Sequence, residues 1–552
     1  MVSLPHQKIQ KSEKMNYLSK EAPLETSIKR MEAILQELDC NTIFSSLLNP
    51  VPNCYSVNLA YKDAPEYVYS NGKGVCEKSC RASALGEFIE RLQSNNFFID
   101  FYLQNREHYT DEVLLSEESY LSPKLEAIYN PNGELGFEDF IDFNSDYYDR
   151  VVALPFLNAV TSEVENFPVN VLQNLYVSNG LAAGNTKLEA RVQALSEIIE
   201  RYVKFEIIKN GYALPEFPAT VIEQYDVVSS GVSKLKEAGF EVLVLDASLG
   251  GIYPVVAIAL INRADGSLFV SFGAHPILQV ALERTLTELM QGRDLNSLTG
   301  FEIPTFDSEQ VASSFNLESH FIDSNGKMGL QFLNSVKSFE YSEFNYSGSG
   351  IEEEYNYLLN IITEQNREVY IRDYDYLGFY TCQIVVPNFS EVYEIDELLY
   401  ENKNRAKFLR DMVLNYKEYE AEVILQECEH LDDSIDVAKY IGVVFKNSFS
   451  MLEFKAQQYL RNGDLDMAIS LLEYSDKKEH LVISELIKMQ NEGLDFDNFK
   501  DALYMLFGRD LVMRAKNILE LKDDLIDLEL DEKYHNIVKL YDLLESKKCQ
   551  KS

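Results

Sequence analysis

The alternation of hydrophobic and polar positions divides the chain into a mixed region followed by a helical one. Up to about residue 395, stretches with apolar residues at helical spacing alternate with short runs rich in β-branched and aromatic residues. The pattern predicts helices over 25–38, 79–93, 188–210 and 278–292, and strands over 151–156, 240–246, 253–261, 369–372 and 379–386. Beyond about residue 400 amphipathic helices and acidic turns dominate. The pattern therefore predicts an α/β or α+β domain followed by an all-α domain.

Three segments follow from this division: a flexible tail over 1–19, a mixed domain over 20–395 and a helical domain over 396–552. Within the helical domain, residues 454–473 are similar to a tetratricopeptide unit, with Tyr459 before the turn, Gly463 at the turn and the small Ala468 after it. One such unit fits an ordinary helical hairpin equally well. In both interpretations the helical domain is a suitable platform for partner binding.

The charge of the chain limits the classes of ligand that it can bind. Among 552 residues, 89 are Asp or Glu and 50 are Lys or Arg, which gives a net charge of −39. A field of that sign repels phosphate backbones and anionic lipid, so a general nucleic-acid binder or a membrane-surface protein is not expected. The sequence lacks an apolar run of the roughly 20 residues that a membrane helix needs. We predict a cytoplasmic protein.

Cysteine and histidine offer little chemistry. The seven cysteines and seven histidines are scattered along the chain. Cys76 and Cys80 lie one helical turn apart, but the sequence has no second pair or nearby histidine that would complete a zinc site, which favours reduced thiols. A catalytic centre, if present, is therefore built from other side chains.

The most informative signal is an internal repeat that carries carboxylates. Residues 84–91 read Ala-Leu-Gly-Glu-Phe-Ile-Glu-Arg, and residues 194–201 read Ala-Leu-Ser-Glu-Ile-Ile-Glu-Arg. A glycine-bearing polar stretch precedes each copy, and the first glutamate follows the last glycine after thirteen positions, from Gly74 to Glu87 and from Gly184 to Glu197. Residues 281–288 form a third, partial copy.

On helices, this spacing places the acidic residues on shared faces. Converging carboxylates would repel one another by several kcal/mol, so they require positive charge. Mg²⁺ prefers such oxygen ligands and shares them with phosphates, while the interleaved Arg91, Arg201 and Arg284, together with Lys73, would contact the anion. A single E-x-x-E-R is usually a solvated helix face, but the repeated spacing favours a Mg²⁺–phosphate site. The Walker motif G-x-x-x-x-G-K-[ST] does not occur.

Three motifs carry a resemblance to a known family. S-x-x-x-E-x-x-E-R at 83–91, S-N-G-x-A-A-G-N-T-x-x-E-A-R-V-Q-A-L-S-E-x-x-E-R-Y-V at 178–203 and A-L-E-R-T-x-T-E-L at 281–289 resemble the YcaO family of ATP-utilising enzymes. The resemblance covers about residues 20–395 and implies an α/β (α+β) YcaO-type domain that binds ATP with Mg²⁺. The helical domain behind it is similar in kind to the tetratricopeptide-like region of the stand-alone bacterial member of the family.

The resemblance also implies roles for individual residues. It implies metal ligands drawn from Glu87, Glu90, Glu189, Glu197, Glu200 and Glu288. It implies nucleotide contacts from Lys20, Ser27, Ser83, Asn185, Arg201 and Arg284. Glu87, Glu197 and Arg284 are the residues expected to carry catalysis.

Family members use ATP to activate a peptide amide oxygen; attack by a Cys, Ser or Thr side chain then gives an azoline, and attack by sulfide gives a thioamide. The stand-alone member assists the β-methylthiolation of an aspartate in small-subunit ribosomal protein S12, together with RimO. For this chain the resemblance therefore implies ATP hydrolysis, docking of the ribosomal protein or RimO by the helical domain, and a homodimer. A peptide-modifying enzyme with another substrate, a non-catalytic ATP-bound accessory protein and an acidic scaffold remain alternatives.

Two departures from the family pattern bear on the choice. Azoline-forming members usually end in a proline-rich tail, whereas residues 545–552 contain no proline. The sequence also lacks a C-x-x-x-C-x-x-C motif, so the chain is not itself the methylthiotransferase. Azoline formation is accordingly less expected than an accessory role.

Overall fold

The computed structural model describes residues 18–104, 111–296 and 298–551. The strands are β1 (Thr42–Phe44), β2 (Leu48–Val51), β3 (Cys54–Tyr61), β4 (Tyr69–Gly74), β5 (Val113–Leu115), β6 (Val151–Asn158), β7 (Val164–Pro168), β8 (Leu181–Gly184), β9 (Glu241–Asp246), β10 (Val255–Asn262), β11 (Ser267–Ala274), β12 (Tyr370–Tyr374) and β13 (Tyr380–Val385). The helices of the mixed region are α1 (Leu24–Glu37), α2 (Glu77–Gln93), α3 (Pro123–Tyr129), α4 (Val169–Val171), α5 (Lys187–Asn210), α6 (Ala219–Ile222), α7 (Asp226–Glu237), α8 (Leu278–Leu289), α9 (Ser308–Ala312), α10 (Ser314–Ile322) and α11 (Ile351–Thr363).

The helices that follow are α12 (Glu397–Tyr400), α13 (Arg405–Leu414), α14 (Ala421–Cys428), α15 (Val437–Ile441), α16 (Met451–Asn462), α17 (Leu465–Leu472), α18 (Lys478–Asn491), α19 (Phe496–Phe507), α20 (Arg509–Leu519) and α21 (Glu532–Lys551). The mixed content up to β13 and the helical content beyond it agree with the predicted pattern. All nine predicted elements are present with small shifts at their ends; helix α8, for example, stops at Leu289 instead of continuing to 292.

Three antiparallel sheets form the mixed region. The first has β3 paired with β1 and β2 and, separately, with β4. The second has the order β9–β10–β11, and the third the order β5–β6–β12–β13–β8, with β7 also paired to β6. Strands β4, β8 and β11 each lie at the edge of their sheet and run directly into the helices α2, α5 and α8. Each sheet therefore supplies one strand–helix unit.

Close packing joins each of these strands to the first turns of its helix. A Cβ atom at Gly184 would lie 2.5 Å from the backbone nitrogen of Ala190, and one at Gly72 would lie 2.3 Å from the carbonyl oxygen of Cys80. Real Cβ contacts are longer, so a side chain at either position would push the strand away from the helix. The glycines of the sequence repeat are thus required by the approach of strand and helix.

The three units close into a ring. Helix α2 also contacts β8, α5 also contacts β11, and α8 also contacts β4, so that each helix packs on the strand of the following unit. The three helices therefore bring their acidic faces near a common centre. This arrangement positions the carboxylates that the sequence repeat carries.

The C-terminal helices belong to two hydrophobic cores. Helices α16–α20 share a core of their own, and other C-terminal residues join the core of the mixed region. Buried residues of α13, α16 and α21, including Val413, Phe454 and Leu544, belong to the same hydrophobic core as Met31 of α1 and Phe88 of α2. Helices α16 and α17 form the hairpin expected around Gly463, whose φ of 74° is left-handed. A hairpin is common to a tetratricopeptide unit and to an ordinary helical pair. Among the described helices, none is long and apolar enough to cross a membrane.

Candidate functional site

The structure shows that the third copy of the repeat has the same spacing between the start of its helix and its first glutamate as the other two copies. The residues that cap the starts of α2, α5 and α8 are Cys76, Thr186 and Ile277. These capping residues lie two positions after Gly74, Gly184 and His275, respectively. A glutamate follows thirteen positions after each of the three, at Glu87, Glu197 and Glu288. His275 thus stands where the other two units have glycine, and the three glutamates are equivalent.

Lys73, on the edge strand β4, lies at the centre of the ring. Its Nζ forms an ion pair with Glu288 of α8. Burial lowers the pKa of Lys73, and the nearby positive charge of Arg284 lowers it further. The negative charges of Glu200, Glu197 and Glu87 act in the opposite direction and raise it. Lys73 therefore lies close to glutamates of all three helices, which shows that their acidic faces converge.

The α2 side of the ring holds two carboxylates around Arg91. The guanidinium lies 3.6 Å from Glu87 and 3.6 Å from Glu90, and it donates a hydrogen bond of 2.9 Å to Asn96. Burial raises the pKa of Glu90 to about 8, against the attraction of Arg91 and with a further rise from Glu197. Burial raises the pKa of Glu87 as well. At neutral pH this side of the site therefore holds a protonated carboxyl group on Glu90.

The α5 side is linked to strand β11 and to helix α10. Arg201 lies 2.7 Å from Glu197 and donates to Asn179 at 3.2 Å, and its guanidinium is 4.6 Å from the centre of the Phe321 ring. Glu200 accepts a hydrogen bond of 3.2 Å from the backbone of Ala274, at the end of β11. These contacts fix the orientation of the α5 carboxylates within the ring.

Arg284 and Ser83 occupy equivalent positions one turn before Glu288 and Glu87. Arg284 donates a hydrogen bond of 2.9 Å to Gln193, the corresponding residue of α5. The three side chains at this level are a serine, a glutamine and an arginine, so the ring carries one positive charge here. Arg284 therefore connects α8 with α5 and lies close enough to Lys73 to lower its pKa.

A second group lies at the start of α5. Glu189, whose side chain is 4% exposed, accepts hydrogen bonds from Lys20 at 3.2 Å, from the backbone of Glu21 at 3.1 Å and from Asn185 at 3.0 and 3.1 Å. Ser27 donates to Asn185 at 2.7 Å. Eight residues of helix separate Glu189 from Glu197, about 12 Å. The structure therefore divides the predicted carboxylates into a central group and this N-terminal group.

Three residues that the sequence prediction missed hold the N-terminal segment. Ser19 donates to Glu354 at 2.5 Å and lies 3.0 Å from Nε2 of His275. Nδ1 of His275 accepts from the backbone of Ile277 at 3.0 Å, so Nε2 carries the ring proton. Burial, with Arg284 and Lys20, holds the pKa of His275 well below its usual value. Ser19 was placed in the predicted flexible tail; residues 1–17 lie outside the described residues.

Lys204 is a further residue that the prediction did not include. It lies one turn after Glu200 on α5, and its Nζ donates to the carbonyl oxygen of His320 and to Ser324 at 2.9 Å. Burial lowers the pKa of Lys204 to about 7, although Glu200 opposes the shift. The helical spacing from Glu200 was a signal that could have identified it.

The donor set fits a magnesium–nucleotide ligand. Carboxylate oxygens suit Mg²⁺, and the neighbouring Lys20, Lys73, Arg201 and Arg284 suit phosphates. Over the three described ranges, no group of three or more Asp, Glu, His or Cys side chains is arranged to hold a metal ion. Glu189, Glu197 and Glu288 are paired with Lys20, Arg201 and Lys73. Metal binding at these glutamates would therefore require an exchange of partners. The buried carboxyl group of Glu90 would gain a stabilising positive charge from such an exchange.

Comparison with known proteins identifies the class. The family model described as YcaO cyclodehydratase, ATP- and Mg²⁺-binding, matches residues 71–390, which contain all three units of the ring. The chain therefore belongs to the YcaO family, whose ligands are ATP and Mg²⁺. The N-terminal segment with Lys20 and Ser27 lies before the matched range.

Two curated relatives extend over most of the chain. It is similar to an uncharacterized protein of Haemophilus influenzae, at 41% identity with 82% of this chain and 81% of that protein covered. It is also similar to the ribosomal protein S12 methylthiotransferase accessory factor YcaO of Escherichia coli, at 38% identity with 96% of this chain and 98% of that protein covered.

Solved structures show a more distant likeness. A heterocyclase in complex with substrate and cofactor is 15% identical, with a TM-score of 0.48 and coverage of 71% of this chain and 57% of that one. The YcaO protein of Methanopyrus kandleri bound with AMPPCP and Mg²⁺ is 16% identical, with a TM-score of 0.43 and coverage of 69% and 94%.

Proposed function

We propose that this protein hydrolyses ATP in a Mg²⁺-dependent reaction and assists the β-methylthiolation of an aspartate in ribosomal protein S12, together with RimO, through activation of a peptide amide. The observation that carries the proposal is the ring in which Glu87, Glu197 and Glu288 occupy equivalent positions around Lys73. Membership of an ATP- and Mg²⁺-binding family and the name of the Escherichia coli relative support it.

The chain's own residues have two tasks in this reaction. Lys73, Arg201 and Arg284 bring positive charge to the ring, where it offsets the charge of bound phosphates. Glu87, Glu197 and Glu288 supply oxygen ligands on three separate helices, so a ligand held by all of them is fixed in position. ATP with Mg²⁺, when bound, supplies a transferable phosphoryl group that converts an amide oxygen into a good leaving group. A nucleophilic side chain of the protein is not required.

The N-terminal segment closes one end of the site. Lys20 is held beside Glu189 and Asn185, and Ser27 donates to Asn185, so these four residues form a polar group at the start of α5. Contacts of this kind would bind one end of a nucleotide while the central ring binds the other. The distance along α5 from Glu189 to Lys204 is about 22 Å, which accommodates an extended nucleotide and the group that receives its phosphate.

ATP hydrolysis by two variants tests the proposal. We expect Glu87→Gln and Glu197→Gln to lower the rate by about 100-fold, because each removes a negatively charged oxygen ligand for the Mg²⁺ that accompanies the phosphates. Glu77→Gln on α2 and Glu206→Gln on α5 serve as matched controls, since both lie outside the ring, and should retain the wild-type rate. Wild-type rates in Glu87→Gln and Glu197→Gln would contradict the assignment of the site.

The accessory role is tested on the ribosomal protein. Mass spectrometry of S12 from cells that produce the wild-type protein, the Glu197→Gln variant or neither should show the methylthio group only with the wild type. The alternative is a non-catalytic accessory protein, in which ATP is a structural ligand and the helical domain docks the partner. Full modification with Glu197→Gln would favour that alternative.

A further inference from the structure

Helix α10 presents an exposed apolar face beside the site. Phe315 is 79% exposed and Ile322 is 68% exposed, although both are large apolar side chains. Their spacing places them on one side of the helix, with Ser319 between them. The opposite side is anchored by the buried Leu317 and His320. Exposed apolar side chains aligned on one helix face are typical of a surface that binds another molecule.

The opposite side of α10 packs against α5, which borders the proposed nucleotide site. Phe321 lies against the guanidinium of Arg201, and the carbonyl oxygen of His320 accepts a hydrogen bond from Lys204. Both partners belong to α5, which also carries Glu197 and Glu200. The α10 face therefore belongs to a helix that is held directly by residues of the site.

Carboxylates flank the apolar face. Glu318 lies on α10 between Phe315 and Ile322 and accepts a hydrogen bond of 2.9 Å from Tyr393, which connects α10 to the segment around α12. Burial raises the pKa of Glu397 in that segment, and the nearby charges of Glu401, Glu318, Glu394 and Asp396 raise it further. Lys209 pairs with Glu394 at 3.4 Å, and the other four carboxylates give this side of the face a negative potential.

The combination of apolar side chains and negative charge indicates which kind of molecule binds the α10 face. We infer that the α10 face docks a basic, amphipathic segment of a partner polypeptide on a helix that borders the site. Nucleic acid and anionic lipid would be repelled, and a second copy of the chain would bring the same acidic flank and a net charge of −39. A segment with alternating apolar and Lys or Arg side chains complements both features. The inference rests on the proposed function, because a ribosomal protein contacts RNA through such basic residues.

Peptide binding to the full-length protein tests the inference. The probes are short fluorescein-labelled peptides that tile ribosomal protein S12 and matched peptides with every Lys and Arg replaced by Gln, followed by fluorescence anisotropy. We expect at least one basic peptide to bind in a salt-sensitive manner. The double variant Phe315→Ala, Ile322→Ala should weaken it about tenfold, and Glu397→Gln, Glu401→Gln should weaken it and reduce its salt dependence.

Matched variants control for general effects of charge and exposure. Met505→Ala removes an apolar side chain that is 81% exposed on α19, and Glu427→Gln, Glu429→Gln removes two exposed charges on another surface. Neither should change peptide binding. Equal binding of the Gln-substituted peptides, or equal binding by the α10 variants and wild type, would overturn the inference. So would loss of self-association, measured by sedimentation, in the α10 variants without an effect on peptides.

Measurements of ATP hydrolysis and of peptide binding distinguish a failure of this inference from a failure of the proposed function. The α10 variants should retain ATP hydrolysis in the absence of peptide, because Phe315 and Ile322 lie outside the carboxylate ring. If Glu87→Gln retains hydrolysis while the α10 variants lose peptide binding, the ring assignment fails and the docking face stands. If Glu87→Gln loses hydrolysis while peptide binding is unaffected by the α10 variants, the opposite conclusion follows.

Discussion

The buried carboxyl group of Glu90 makes a strong prediction about stability and pH. Its side chain is 11% exposed, and burial raises its pKa from 4.5 to about 8. The folded protein therefore keeps this proton over a range in which the unfolded chain has lost it. Because the pKa is higher in the folded state, the stabilisation is complete below the unfolded value and is lost as the pH rises toward 8.

The magnitude follows from the two pKa values. Each unit of difference corresponds to about 1.4 kcal/mol, so the metal-free protein should lose on the order of 5 kcal/mol of unfolding free energy between pH 4.5 and 8 through this group. Glu90→Gln keeps the shape and the neutral state but cannot ionise. We expect the variant to match the wild type near pH 5 and to be more stable by several kcal/mol near pH 8.

Thermal unfolding in EDTA without nucleotide, recorded from pH 5 to 8.5, measures this difference. Glu77→Gln, at the exposed start of the same helix, is the control and should follow the wild-type curve. Parallel curves for wild type and Glu90→Gln would refute the reasoning, because they would show that the carboxyl group titrates alike in both states. Addition of Mg²⁺ and ATP should then reduce the advantage of the variant, since a bound cation favours the ionised carboxylate of the wild type.

Two further predictions concern the scaffold. Gly184→Ala places a Cβ within 2.5 Å of the backbone of α5 and should lower the unfolding free energy by about 2 kcal/mol in chemical denaturation. Gly86→Ala, in the interior of α2 with open space around it, should instead raise it by about 0.5 kcal/mol; equal effects of the two changes would contradict the packing. Truncation after residue 396 removes one side of the core that contains Phe88, so the fragment should aggregate or bind a hydrophobic dye, whereas a soluble fragment with native circular dichroism would show an independent domain.

Much of the site could be predicted because it repeats. The two E-x-x-E-R copies have the same spacing from glycine, and a shared spacing indicates a shared local structure even when the fold is unknown. The third copy was harder to align, because His275 replaces the glycine. The cap of α8 at Ile277, visible only in three dimensions, sets its register.

Other features depended on long-range contacts. Strand β4 contains Asn71, Gly72 and Gly74, which are poor strand formers, and its sequence indicated a polar loop. It forms a strand because β3 pairs with it and α2 packs on it. The contact of Ser19 with Glu354 joins residues 335 positions apart, and no local pattern could have predicted it.

The ring is repeated in backbone but unequal in side chains, and this has a consequence for orientation. Three identical strand–helix units would allow an unsymmetrical ligand to bind in three equivalent orientations. Here helix α8 ends at Leu289, in the shared register about one turn before the end of α2 and about three turns before the end of α5. Gln291 and Gly292 follow it where the other two units have a glutamate and an arginine. Because one unit differs from the other two, an unsymmetrical ligand such as a nucleotide has one preferred binding orientation in the ring.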